Sequence, residues 1–68
     1  MLEDIIRNLD EGKLYDSNDV ALIFSVTPET VARWAKAGLL AFEIKLPKGP
    51  YRYSKQNLVD FHRENSNA

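Results

Sequence analysis

The 68 residues include no cysteine, which excludes a disulfide framework and a thiolate metal site alike. Glycine and proline are scarce, three of each, so every one of them marks a place in the chain. The single histidine, His62, stands beside Arg63 and Glu64, where it reads as a solvated or helix-end cation. There is no serine-centred elbow, no phosphate-binding glycine loop and no His/Asp/Glu cluster at metal-ligand spacing. An enzyme is therefore not expected, and neither is a cofactor. No apolar run approaches the roughly 18 residues that span a membrane. The opening "MLEDIIRNLDEG" is acidic and amphipathic, unlike the basic start and apolar middle of an export signal. A cytoplasmic protein without a membrane partner is the expectation. At this length the chain makes one domain, near the lower limit of what folds without a metal or a disulfide.

An excess of one charge sign is also missing, with a formal net charge of −1. That average conceals an asymmetry. Residues 1–14 carry Glu3, Asp4, Asp10 and Glu11 against Arg7 and Lys13. Residues 33–55 carry Arg33, Lys36, Lys45, Lys48, Arg52 and Lys55 against Glu43 alone. Local clustering sets the field that a polyanion meets, so the second half of the chain is the place to look for such a partner.

What is present reads as short amphipathic elements. Leu2, Ile5, Ile6 and Leu9 fall at i, i+3, i+4, i+7, one stripe of a helix that Gly12 could stop. After "KLY", Asp16 or Ser17 can cap a helix with Asp19 in its first turn and Val20, Ile23 and Phe24 on a buried face. A turn at Ser25-Val26 follows. Thr27 is a good cap and Pro28 suits the first helical position, so a second helix is expected from Pro28 to about Ala37, ended by Gly38. On that helix Val31, Trp34 and Ala35 form an apolar back, which assigns Trp34 to the core. Glu29, Arg33 and Lys36 form a polar front with Thr30 at its margin, and small Ala32 between them permits close approach to a surface. An ion pair between Glu29 and Arg33 at i, i+4 is the plain alternative use of that front.

"LLAFEIKL" alternates, with Phe42, Ile44 and Leu46 on one side and Ala41, Glu43 and Lys45 on the other, as in a half-buried strand. "PKGP" is a turn, and "YRY" resumes the alternation with Tyr53 packing inward. The two runs make a hairpin with Lys48 at its tip. Ser54 can cap a last helix, "KQNLVDFHREN", that buries Leu58, Val59 and Phe61. The expected fold is mainly α with a small β-hairpin: a winged helix-turn-helix over residues 15–63, preceded by an amphipathic helix in 1–14 and followed by a polar tail, 64–68. A helical front and a hairpin that are both basic converge on one ligand if it is elongated and polyanionic, which is double-stranded DNA. A helix fits a major groove about 12 Å wide, and the hairpin then reaches the backbone or an adjacent minor groove.

"ETVARWAKAGLL" followed by a hairpin and "YRYS" resembles the small winged-helix domains of phage excisionases and the wider MerR-like superfamily, over roughly residues 15–62. The chain departs from the family pattern at Ser25, where a glycine often stands, and at Ala32, where excisionases tend to have arginine. The resemblance implies base contacts from Glu29, Thr30 and Arg33. It implies backbone or wing contacts from Thr27, Lys36, Lys45, Lys48, Arg52 and Lys55. It further implies an excisionase, or recombination directionality factor, that binds repeated sites cooperatively and bends DNA with a site-specific integrase, in association with the nucleoid. A small MerR-like transcriptional regulator is the alternative within DNA binding. One module of this size buries about 600–1,000 Å² on DNA, so a homodimer or a cooperative oligomer is expected in either case. A protein–protein adaptor that uses Leu2, Ile5, Ile6 and Leu9 as its interface is the alternative of another class.

Overall fold

Asp16 starts the first helix of the central pair by a reciprocal exchange. Its carboxylate accepts the Asp19 N–H at 2.8 Å, and the Asp19 carboxylate accepts the Asp16 N–H at 3.3 Å. Such a capping box contributes about 1 kcal/mol and fixes where the chain turns into the helix. The computed structural model describes residues 2–47 and 50–65. In chain order these form α1 (Leu2–Arg7), α2 (Ser17–Phe24), α3 (Pro28–Lys36), β1 (Ile44–Lys45), β2 (Tyr51–Arg52) and α4 (Lys55–Asn65). Helices α2 and α3 pack on each other, α1 packs on α2 and α4, and β1 pairs antiparallel with β2. The architecture is the expected winged helix-turn-helix with a leading helix.

Both helices of the pair close in the same way. Ser25 adopts a left-handed conformation, φ 59°, while its N–H donates to the Leu22 carbonyl and the Val26 N–H donates to the Ala21 carbonyl at 2.9 Å. Gly38, φ 79°, does the same for α3, with its own N–H on the Ala35 carbonyl and the Leu39 N–H on the Trp34 carbonyl at 2.9 Å. This doubly bonded ending satisfies carbonyls that the helix leaves open, and it needs a positive φ that disfavours a Cβ by about 1–2 kcal/mol. Gly38→Ala should therefore cost about 1 kcal/mol, since open space around its Cα leaves only the backbone term. Ser25→Gly should stabilise by a few tenths to about 1 kcal/mol. Urea unfolding of the two variants checks the opposite signs.

The core gathers Val20 and Ala21 from α2, Val31 and Ala35 from α3, Leu40, Tyr51 and Tyr53 around the wing, and Leu58 and Phe61 from α4. Ser54 caps α4, its hydroxyl accepting the Asn57 N–H while the Asn57 side chain accepts the Ser54 N–H. Tyr15, in the segment expected to be only a connector, adds a third backbone pairing to the wing. Its N–H and carbonyl bond the carbonyl and N–H of Tyr53 at 2.7 and 2.8 Å. The wing is thus fastened to the chain just before α2, which sets its position relative to α3.

Two expectations need correction. The leading helix ends at Arg7, before Leu9 and Gly12: the Leu9 N–H tightens onto the Ile6 carbonyl at 3.2 Å, and Asp10 then takes the Gly12 N–H on its carboxylate at 2.8 Å in a separate turn. The expected stripe splits as well. Ile6 is buried, Leu9 packs against the core, Leu2 is half-buried, and Ile5 is exposed. In the wing, the expected inward face of Phe42, Ile44 and Leu46 is not buried. Ile44 lies opposite Arg52 and Lys45 opposite Tyr51, so Phe42 and Ile44 stay exposed and Leu46 half-buried. Leu40 has already filled the core at 1% exposure, and a strand two residues long carries no face of its own.

The Tyr53 hydroxyl is fully buried and, among the described residues, makes no hydrogen bond. Burial, offset in part by the nearby Ser17 hydroxyl, raises its pKa above 10.0. The folded state therefore holds this proton more tightly than the unfolded chain does. The corresponding stability is whole below pH 10 and is lost as pH rises from there through the raised native value. Tyr53→Phe should be neutral or slightly stabilising at pH 7 and should flatten the fall in melting temperature above pH 10. A steeper alkaline fall in the variant would contradict the assignment.

Candidate nucleic-acid interface

Thr27 begins α3 with its hydroxyl oxygen accepting the Thr30 N–H at 3.2 Å, and Pro28 takes the first turn, where its missing N–H leaves nothing unbonded. The Thr27 and Thr30 hydroxyls also bond each other at 2.9 Å, which holds the Thr30 side chain against the helix start. Val31 and Ala35 are buried and lock the helix to α2. Trp34 is half-buried, edge-on to Phe24 at 6.1 Å and tilted over Phe61 at 4.9 Å. The aromatic cluster fixes the rotation of α3 about its axis, and that rotation decides which residues face outward.

Glu29, Arg33 and Lys36 face outward, all exposed, with half-buried Ala32 and Thr30 among them. Among the described residues these three enter no ion pair, so the i, i+4 pairing of Glu29 with Arg33 is not made. Their charged groups are solvated and can exchange water for a ligand without first breaking an internal contact. In donor and acceptor chemistry they match base edges: a guanidinium can bond guanine O6 and N7 together, and a carboxylate can accept from cytosine N4.

In the wing, Lys45 is exposed with its ammonium 5.8 Å from the centre of the Tyr51 ring. Arg52 is half-buried, its Nη1 donating to the Tyr51 carbonyl at 3.2 Å, which orients the guanidinium along the strand. Lys48, expected at the tip, lies outside the described residues. Lys55 departs from the expectation. Its Nζ donates to the Arg7 carbonyl at 2.7 Å and sits 4.0 Å from a Glu11 carboxylate oxygen, with 19% of the side chain exposed. It closes the C-terminal end of α1, so its ammonium is engaged within the chain. Its position at the end of the basic segment gave no sign of this. The partner, a carbonyl 48 residues earlier, belongs to tertiary structure.

The structure therefore brings one helix front and one wing onto a common scaffold, while the one remaining cation of the basic segment, Lys55, is engaged by α1 and Glu11. Among the described residues no helix is long and apolar enough to cross a membrane. No curated protein and no solved structure shows significant similarity to the chain. A family model does match, over residues 14–66, and it is the model of a helix-turn-helix domain. That span takes in α2, α3, the wing and α4, and leaves α1 outside. The chain thus belongs to the helix-turn-helix domain family, which includes excisionase-like DNA-binding domains.

Proposed function

We propose that the chain is a sequence-specific double-stranded DNA-binding protein that lays α3 in a major groove and its wing along the adjacent backbone or minor groove. The observation that carries this reading is the front of α3, exposed and without an ion pair among the described residues, backed by a side packed into the core. Glu29, Thr30 and Arg33 contact base edges. Lys36, Lys45, Lys48 and Arg52 neutralise phosphates, and Thr27 serves first as the helix cap. The excisionase-like members of the family supply the finer role: cooperative occupation of repeated sites that bends DNA beside a site-specific integrase. The reaction chemistry of recombination would then belong to the integrase, and this chain would supply shape.

Four phosphate-neutralising cations predict a log–log slope of binding against salt of about −3 to −4. Fluorescence anisotropy of a labelled duplex over a salt series measures it. A slope near zero would remove the DNA reading. Footprinting then separates the finer roles. Direct repeats with a change in DNA bend support the excisionase role, and an inverted repeat with centres one helical turn apart supports a dimeric regulator in its place.

A further inference from the structure

The wing leaves two large apolar side chains in water. Ile44 on β1 is 43% exposed, and Phe42, just before the strand, is 41% exposed. A lone exposed leucine such as Leu22 on α2 needs no explanation. These two stand on the element whose cations are assigned to phosphates, and a hydrocarbon gains nothing from a phosphate. They call for a partner that is anionic at its edges and apolar between them.

The strand register places Ile44 beside a cation. Its partner across the hairpin is Arg52, and directly opposed residues share one face of a strand pair. Lys45 follows Ile44 in the chain and is exposed. The branched hydrocarbon is thus flanked by two positive side chains. Its support is firm. The Phe42 ring lies 4.7 Å from that of Tyr51, Tyr51 is buried, and Tyr53 is bonded through both of its backbone groups to Tyr15. A side chain on such a base can press on a partner without the hairpin giving way.

The minor groove of DNA has the matching chemistry. Its phosphate walls and negative potential attract arginine and lysine, and its floor is the edge of the base stack, which apolar side chains can enter and partly unstack. We propose that Ile44 is an apolar wedge that enters the minor groove beside the α3 site and opens one base step. The inference rests on the DNA-binding reading and extends it. Ile44 reads no base edge; it selects by the energy of deformation. A pyrimidine–purine step such as TA unstacks readily, whereas a run of adenines is stiff. The wing thereby contributes sequence preference at a step where no hydrogen bond to a base is made.

Two duplexes test this. They share the footprinted α3 site and differ at the step under the wing, TA in one and AA within an adenine run in the other. Each carries beside that step a fluorescent adenine analogue that brightens on unstacking. The wild-type chain should bind the TA duplex about tenfold more tightly and brighten the analogue there. Ile44→Ser should make the two affinities equal and abolish the brightening, with the salt slope unchanged because no cation is lost. Ile44→Met, which keeps an apolar side chain, should restore both effects. Lys45→Ala should weaken both duplexes alike and keep the preference. If circular dichroism shows that Ile44→Ser does not fold, Ile44→Thr, which keeps the β-branch, takes its place. A wild-type chain that binds both duplexes with the expected salt slope, yet shows neither preference nor brightening, overturns the wedge and leaves the DNA reading standing. So does an Ile44→Ser variant that keeps both effects. A chain that binds neither duplex removes the DNA reading and the wedge together.

Discussion

Arg33→Ala is expected to lower affinity for the preferred duplex by about 5- to 150-fold, the 1–3 kcal/mol that one bidentate arginine–guanine contact contributes to discrimination. Affinity for unrelated DNA should fall far less, because only one of several cations that attract phosphates is lost. The variant should therefore be less selective before it is much weaker. The fold gives no reason for any other outcome, since Arg33 is exposed and enters no ion pair among the described residues, so its removal leaves no buried group unbonded. Lys45→Ala provides the contrast: a modest loss on every duplex and a salt slope smaller by about 1. Anisotropy titrations on the preferred and a scrambled duplex, at two salt concentrations, read both quantities. Equal losses on both duplexes from Arg33→Ala would show that α3 does not read bases through this residue. Arg33→Lys sharpens the test, because it keeps the charge and loses the planar fork; selectivity should not return with it.

The features of this fold that lie within one turn of helix were legible in the residues. Thr27 and Pro28 marked the start of α3 because a cap and a missing N–H act on their immediate neighbours. Gly38 marked its end because a left-handed residue is needed there. The division of α3 into a back of Val31, Trp34 and Ala35 and a front of Glu29, Arg33 and Lys36 followed from helical period alone, and the structure has it. What depended on distant partners was not legible. Alternation in "LLAFEIKL" suggested a half-buried strand, but which face is covered depends on Leu40, Tyr51 and Tyr53, and these fill the space first. The pairing of Tyr15 with Tyr53 and the capture of Lys55 by the Arg7 carbonyl join positions 38 and 48 residues apart. No local pattern encodes them. For the candidate interface this means that the helix front could be assigned from sequence, whereas the roster of basic side chains around it needed the fold.

Trp34 carries the heaviest consequence of that assignment. Trp34→Ala should destabilise the domain by about 3–5 kcal/mol, through lost apolar contact and the space left behind. The two ring contacts, with Phe24 at 6.1 Å and Phe61 at 4.9 Å, join α2, α3 and α4 in one cluster, so the loss is shared by three helices. A chain of this size has about 3–10 kcal/mol of total stability at 0.05–0.15 kcal/mol per residue. About a third of it or more would go. Each 1 kcal/mol shifts the melting temperature of a 60- to 100-residue domain by about 4–8 °C, so a fall of about 15 °C or more is expected in thermal unfolding. Trp34→Phe, which keeps an aromatic ring between Phe24 and Phe61, should recover most of it. Because the cluster sets the rotation of α3, any folded Trp34→Ala molecules at low temperature should also bind DNA with reduced selectivity while Arg33 is still in place. If Trp34→Ala instead kept its melting temperature and lost DNA affinity on every sequence, the indole would be part of the binding surface and the division of α3 into a buried back and a free front would be wrong.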